Sequence, residues 1–207
     1  MKKSITLLEI VFAIFLISII YSISIPKKID SKLQDATSYL ITYLNYTRYL
    51  SLIDNKYDTQ DDLWFRKMWR LRFENCSNET DGFYFIVFSD NNKTGQAKKE
   101  DSAKDPLSQK HLYSRYNCNP KADESKYILL TKEFGIINIE LTCNATSSIG
   151  QILYDDEGKI FSKVGTNQKD FGKFEILNRC YIHLYDKEKN KSTIVIEPKT
   201  GYAYQQK

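Results

Sequence analysis

The chain has 207 residues, 42% of them hydrophobic, and carries 30 Lys and Arg against 26 Asp and Glu for a net charge of +4. That length allows one globular domain with its own core beside a long helix, and the small positive excess does not by itself call for a nucleic-acid partner. The four cysteines (Cys76, Cys118, Cys143, Cys180) fall in no CxxC frame and make no Cys/His pair at zinc spacing, which argues against a metal site.

The first element is an apolar run from Ile5 to Ile25, preceded by Lys2 and Lys3 and interrupted by one carboxylate, Glu9. About 21 residues at ~1.5 Å each reach across a ~30 Å hydrocarbon layer, so the run reads as a transmembrane helix. A lone acid in such a run costs on the order of 2.5–3.5 kcal/mol at mid-bilayer and asks for a cationic partner. Beyond Pro26, Ile29, Leu33, Ala36, Leu40, Leu44, Thr47 and Leu50 recur at three- and four-residue steps among polar residues, the pattern of an amphipathic helix. No glycine occurs before Gly82. The expectation is therefore one rod from Ile5 to about Ile53, half transmembrane and half amphipathic, kinked at Pro26.

After Asp54, Leu63, Phe65, Trp69, Leu71 and Phe73 read as the buried face of a strand whose wet face carries arginines, with Phe83–Phe88 as its antiparallel partner across a turn at Asp81 and Gly82. Ser89 to about Ser125 is polar and reads as a long loop. Tyr127–Thr131, Ile136–Thr142, Gln151–Tyr154, Lys159–Phe161, Cys180–Tyr185 and Thr193–Glu197 read as strands, with hairpin tips at Asp156-Glu157-Gly158 and Lys187–Lys191. The fold class expected is α+β: residues 5–53 a long N-terminal helix (5–25 transmembrane), and 54–207 a β-rich domain of antiparallel sheet or sheets packed on the helix. Four cysteines allow three pairings. Cys76–Cys118 and Cys143–Cys180 are favoured because each pair brackets a coherent segment, with free buried thiols as the other reading.

Two stretches carry a resemblance. Lys2-Lys3-Ser4 followed by Ile5-Thr6-Leu7-Leu8-Glu9 and an apolar stretch resembles the class III signal of type IV prepilins and type II secretion pseudopilins. "QILYDDEGKIF", followed about thirty residues later by "STIVIEPKTGYAY", resembles the paired C-terminal hairpins of the GspH/FimT minor pseudopilins. The chain departs from the family in having Ser4 and Ile5 where Gly and Phe are usual. The resemblance implies a pilin-like fold and cleavage by a prepilin peptidase between Ser4 and Ile5, with methylation of the Ile5 amine. It implies assembly through Thr6, Glu9 and Pro26, Glu9 pairing with the new amine of a neighbouring subunit. The partners implied are other pseudopilins or pilins and the inner-membrane assembly platform. The location implied is the bacterial inner membrane, single-pass, with the globular domain in the periplasm until it enters a pseudopilus for secretion or transformation. No cofactor or metal is expected.

Other chemistries are weaker in the sequence. There are two histidines, His111 in the polar loop and His183 in a strand that alternates it with Ile182 and Leu184, and no HExxH, GxSxG, Walker or GxGxxG motif, so no enzyme is expected. Asp155, Asp156 and Glu157 suit a solvated hairpin turn better than a calcium loop. Trp64, Arg66, Lys67, Arg70 and Arg72 combine rings with cations as single-stranded nucleic acid binders do, which makes a DNA-binding minor pilin for competence an alternative. A protein secreted after cleavage at the small-x-small triplet ending in Ser24, or plainly anchored, is the remaining one. Asn-x-Ser/Thr triplets begin at Asn75, Asn78, Asn92, Asn144 and Asn190, and Asn92 and Asn190 have an acid two residues earlier, Asp90 and Glu188.

Overall fold

The computed structural model describes residues 7–24, 31–77 and 82–206. The chain divides into two compact units, Met1–Ser31 and Lys32–Lys207. The first contains α1 (Leu7–Ser24), 18 residues long, with Glu9 in its first turn. The second opens with α2 (Ser31–Ile53), 23 residues, so the amphipathic helix belongs with the β-rich part rather than with the apolar run.

The expected single rod is thus corrected to two separate helices. Proline lacks an N–H to give the preceding turn and disfavours helix in the residue before it, and the only proline before residue 100 is Pro26, between α1 and α2. Pro26 itself lies outside the described residues. The expected inner-membrane, single-pass anchor is corrected as well, because among the described residues no helix is long and apolar enough to cross a membrane. α1 spans about 27 Å at ~1.5 Å per residue, short of the ~30 Å hydrocarbon layer.

What remains of the expected fold class is α+β with two antiparallel sheets. The first has strand order β2-β1-β4-β5, from β1 (Trp69–Asn75), β2 (Phe83–Ser89), β4 (Gly150–Tyr154) and β5 (Ile160–Phe161). The second has order β3-β6-β7-β8, from β3 (Asn138–Leu141), β6 (Cys180–Tyr185), β7 (Lys191–Ile196) and β8 (Ala203–Gln205). Leu33, Ala36, Leu40 and Leu44 of α2 are buried in one core with Leu71, Phe73, Phe85 and Ile152 of the first sheet and Ile182, Leu184, Ile194 and Ile196 of the second. The i, i+3, i+4 spacing of α2 and the alternation of the strands each present one apolar face, and these faces meet.

Polar contacts fix α2 along the C-terminal strand. The Asn45 amide donates to the Ala203 carbonyl (2.9 Å) and accepts from its N–H (3.0 Å), satisfying both edge groups of β8 as a strand would. Gln34 and Gln205 exchange amide hydrogen bonds (2.8 and 3.0 Å), and Thr37 Oγ1 donates to the Leu33 carbonyl and meets Ser192 Oγ at 2.8 Å.

Two tight turns meet beside the helix. Arg48 Nε donates to the Thr200 carbonyl in the Pro198–Gly201 turn, and Gly158, at the tip between β4 and β5, sits against the same turn. A Cβ on Gly158 would lie 2.9 Å from the Thr200 oxygen. One on Gly201 would lie 2.6 Å from the Gly158 oxygen and 2.8 Å from the buried Tyr154 ring. Both glycines are left-handed, at φ 87° and 62°.

The Asp155–Lys159 and Asp186–Asn190 hairpins share one design. Each leading Asp accepts from the N–H groups two and four residues on: Asp155 Oδ1 from Glu157 (3.0 Å) and Lys159 (2.8 Å), Asp186 Oδ1 from Glu188 (2.9 Å) and Asn190 (2.8 Å). The position that is Gly158 in the first is Lys189 in the second, also left-handed at φ 64°. "LYDDEGK" and "LYDKEKN" are the sequence form of this repeat.

Two segments differ from the expected strands. Tyr127–Thr131 is a 3₁₀ turn (Lys126–Ile128) leading into the short helix α3 (Leu130–Phe134), whose end is set by left-handed Gly135 donating to the Thr131 carbonyl at 2.8 Å. The segment before β1 is a 3₁₀ turn, Trp64–Lys67, not a strand. The long polar segment after β2 has no strand or helix through residue 125, yet it is pinned to the β2 edge: Val87 donates to the Leu112 carbonyl, and Ala103 to that of Val87. It thereby covers an edge that would otherwise offer unpaired backbone groups. Disulfides join Cys76 to Cys118 and Cys143 to Cys180, closing loops of sequence separation 42 and 37. In the chain-entropy account each withholds roughly 4 kcal/mol of loop freedom from the unfolded chain.

Two left-handed positions give opposite outcomes. Gly201→Ala forces a Cβ into a backbone oxygen and an aromatic ring, and is expected to lower stability by roughly 2–4 kcal/mol in urea unfolding of the full chain. Lys189→Gly relieves a strained position with nothing lost from the core, and should raise stability by about 1 kcal/mol. A Gly201→Ala variant as stable as the parent would refute the junction.

Candidate functional site

The residues singled out in the sequence fall in two places. Of the N-terminal set, Ser4, Ile5, Thr6 and Pro26 lie outside the described residues, as does the bond after Ser24. Glu9 lies in α1 among exposed apolar side chains that include Leu7 (82% exposed), Phe12, Phe15 and Ile17 (63%). Ser18 Oγ donates to the Phe15 carbonyl at 2.7 Å, so that hydroxyl is satisfied within the helix. α1 is therefore an apolar helix with exposed side chains over residues 7–19, carrying one acid near its start.

The basic-aromatic segment is arranged differently from the expected stripe. Trp64 packs against Tyr57 (5.2 Å between ring centres) and Phe171 (4.8 Å), and Arg66 and Lys67 complete its 3₁₀ turn. Arg70 is interior, 1% exposed. Its guanidinium stacks on the Phe88 ring at 5.2 Å and donates to the carbonyls of Arg66 and Met68. Arg72 stacks on the same ring at 4.9 Å, donates to the Gly95 carbonyl (2.7 Å) and lies 2.5 Å from Glu74. The outward face of the first sheet is thus roofed by the 61–68 segment and the loop around Gly95. Phe65, Met68, Leu153 and Phe161 form a second, smaller core beneath that roof. Burial draws the Arg70 guanidinium down to about 10, partly offset by the Asp90 carboxylate and reinforced by Arg72 and Arg66. The alternation of Arg with apolar residues in β1 therefore marks a sheet covered on both sides, and Trp64, Arg66, Lys67, Arg70 and Arg72 do not line up as one exposed strip.

Asp61 ties this roof together. Its carboxylate meets Lys67 Nζ at 2.8 Å and Lys93 Nζ at 2.6 Å and accepts the Leu63 N–H at 3.1 Å. The Lys67 hydrogen bond first, then that from Lys93, holds it well below the usual carboxylate range. The remaining acids of the Asp155–Glu157 tip are engaged too: Asp156 accepts from Asn55 (2.8 Å) and Glu157 pairs with Lys159. His183 is half-buried on the outward side of β6, 3.0 Å from Thr193 Oγ1, and burial lowers its pKa. His111 Nδ1 lies 2.9 Å from Ser102 Oγ. Among the described residues no group of three or more His, Cys, Asp or Glu is placed to hold a metal ion.

One surface was not legible in the sequence pattern. Tyr39, Tyr43 and Tyr46 of α2, with Asp105, Pro106 and Leu107, line an apolar groove of about 430 Å³. Tyr39 stacks on Tyr127 at 5.0 Å, Tyr46 donates to the Lys104 carbonyl, and burial, then Asp105, pushes the Tyr43 phenol up. The i, i+4, i+7 spacing of these tyrosines is the signal in the sequence, and it lies beside the stripe of Leu33, Ala36, Leu40 and Leu44 that marks the buried face of α2. A second hollow of about 540 Å³ opens beside the Cys76–Cys118 bridge, lined by Phe83, Leu129 and Lys132. Compared with protein-family models, with curated proteins and with solved structures, the chain finds no match.

Arg70→Ala should cost about 2–4 kcal/mol in urea unfolding, since it empties a filled site and strips two carbonyls of their donor, whereas Arg72→Ala, at a half-buried position, should cost about 1 kcal/mol. Equal, small effects would return the arginines to solvent. Asp61 titrates below its unfolded value, so its contribution is whole above about pH 4 and fades only as pH falls through its depressed folded value. The stability gap between the parent and Asp61→Asn is therefore expected to be constant from neutrality to about pH 4 and to close in stronger acid.

Proposed function

We propose that this chain is a non-enzymatic subunit of a pilin-like filament, of the minor pseudopilin kind, joined to its neighbours through α1. The observation that carries the reading is the exposure of α1 over residues 7–19, an apolar stretch whose one charged residue is Glu9. Contiguous apolar surface of this extent on a monomer marks a binding face, and at about 25 cal/mol per Å² its burial against like helices is strongly favourable. In this reading a prepilin peptidase cuts between Ser4 and Ile5 and methylates the Ile5 amine. Glu9 of an incoming subunit then pairs with the amine of its neighbour, and sister pilins or pseudopilins are the partners. Within a packed helix bundle such a pair is favoured over two unpaired charges and sets the axial step between subunits. The two-sheet unit, cross-linked by disulfides, suits a compartment that is not kept reducing.

The test has two parts. N-terminal sequencing of the mature chain is expected to begin at Ile5 with a methylated amine. Filament incorporation of Glu9→Ala and Glu9→Gln is expected to fall at least about tenfold, the equivalent of ~1.4 kcal/mol per subunit contact. A mature chain beginning at Ile25, or full incorporation of both variants, would overturn the proposal.

A further inference from the structure

Six Asn-x-Ser/Thr triplets occur in the chain, since Asn45-Tyr46-Thr47 adds one to the five named above. Such a triplet is an acceptor for amide-linked sugar only where its Asn is presented on an accessible loop, and the fold separates the six. Asn45 has both ends of its amide bound to Ala203, and Thr47 is buried. Asn75 is paired with Phe83 in the β1–β2 ladder, with Cys76 beside it locked in a disulfide. Asn78 lies outside the described residues. Asn144 Nδ2 donates to the Ser148 carbonyl at 2.6 Å, and Asn190 Nδ2 to Asp186 Oδ2 at 2.8 Å.

The threonine contact on the amide oxygen recurs at Asn144, where Thr146 Oγ1 donates to Oδ1 at 2.7 Å; Asn92 is set apart by its place in an exposed turn together with an unengaged amide nitrogen. It stands exposed at the tip of the turn after β2, with Thr94 exposed beside it. The Thr94 hydroxyl donates to Asn92 Oδ1 at 2.5 Å and the Thr94 N–H to the same oxygen at 3.1 Å, while Asn92 Nδ2 has no protein partner among the described residues. The loop is held from below: buried Asp90 accepts the N–H groups of Thr94 (3.1 Å) and Gly95 (2.8 Å), and Lys93 is clamped by Asp61. The turn is thus preformed, with the hydroxyl on the amide oxygen of an exposed asparagine.

We propose that Asn92 is an N-glycosylation site of the folded protein. The glycosyl donor is an oligosaccharide on a lipid diphosphate. The Asn92 nitrogen forms a bond to C1 of the first sugar as the C1–oxygen bond to diphosphate breaks, one amide proton is lost, and the lipid diphosphate leaves with the electrons of the broken bond. Because Asp90 is buried and committed to its own turn, the transferase is of the kind that reads Asn-x-Thr without needing an accessible acid two residues earlier. The two disulfides independently suit a compartment outside the reducing cytosol, where such donors are used.

The full-length, disulfide-intact chain is incubated with a purified single-subunit oligosaccharyltransferase that requires no acidic residue, together with its lipid-diphosphate oligosaccharide, and analysed by intact mass and peptide mapping. The expected result is a glycan at Asn92 and none at Asn45, Asn75, Asn144 or Asn190. It is lost in Asn92→Gln and Thr94→Ala, kept in Thr94→Ser, and unchanged in Asn144→Gln and Asn190→Gln, with the urea midpoint of Thr94→Ala matching the parent. Glycan on Asn45, Asn75, Asn144 or Asn190 of the folded chain, modification of Asn92 only after reduction and unfolding, or no glycan at Asn92 would overturn the proposal. None of these outcomes depends on filament assembly.

Discussion

The backbone contact between Gly158 and Gly201 is the constraint on which the residue 32–207 unit rests. One glycine belongs to a turn of the first sheet and the other to the turn that delivers the last strand of the second, and Arg48 of α2 is bound to the same turn. Three layers meet where no side chain fits. Burial of Leu40 and Leu44 against both sheets follows from that meeting, because the helix cannot slide along the sheets while Asn45 holds both edge groups of Ala203. Apolar contact supplies the driving force and has no direction; the amide and glycine contacts choose one register among many.

The roof over the first sheet follows the same logic on its other face. A sheet with a helix on one side and water on the other would carry Arg70 into solvent. Here Arg70 lies beneath a turn, sharing the Phe88 ring with Arg72, and its charge is met by backbone carbonyls and the Asp90 carboxylate rather than by water. Asp61 then fastens the turn to the loop that carries Asn92, so rigidity in the interior reaches the exposed tip.

Much of this was legible in the residues and some was not. The α2 stripe through Leu33, Ala36, Leu40 and Leu44 follows the helical period, and β4, β6 and β7 alternate or run apolar as strands do, so they could be placed closely. Trp64–Phe73 misled because period two in that stretch records two covered faces, and the turn that does the covering is part of the same run. Tyr127–Thr131 reads as a strand by its apolar content and is a 3₁₀ turn running into a short helix that ends at Gly135. β8 is three residues long and is made by Asn45 and β7 rather than by propensity.

Neither covalent bridge spans the two sheets: Cys76–Cys118 staples the first to its edge segment, and Cys143–Cys180 lies wholly beside the second. Under tension between the ends of this unit, parting the sheets breaks noncovalent contacts alone, those of the shared core and of the seam at the glycine turns. The closed loops meanwhile hold back contour on the order of 270 Å that never pays out. Pulled apart, this unit would therefore extend less than its residue count allows, by the length the two bridges retain.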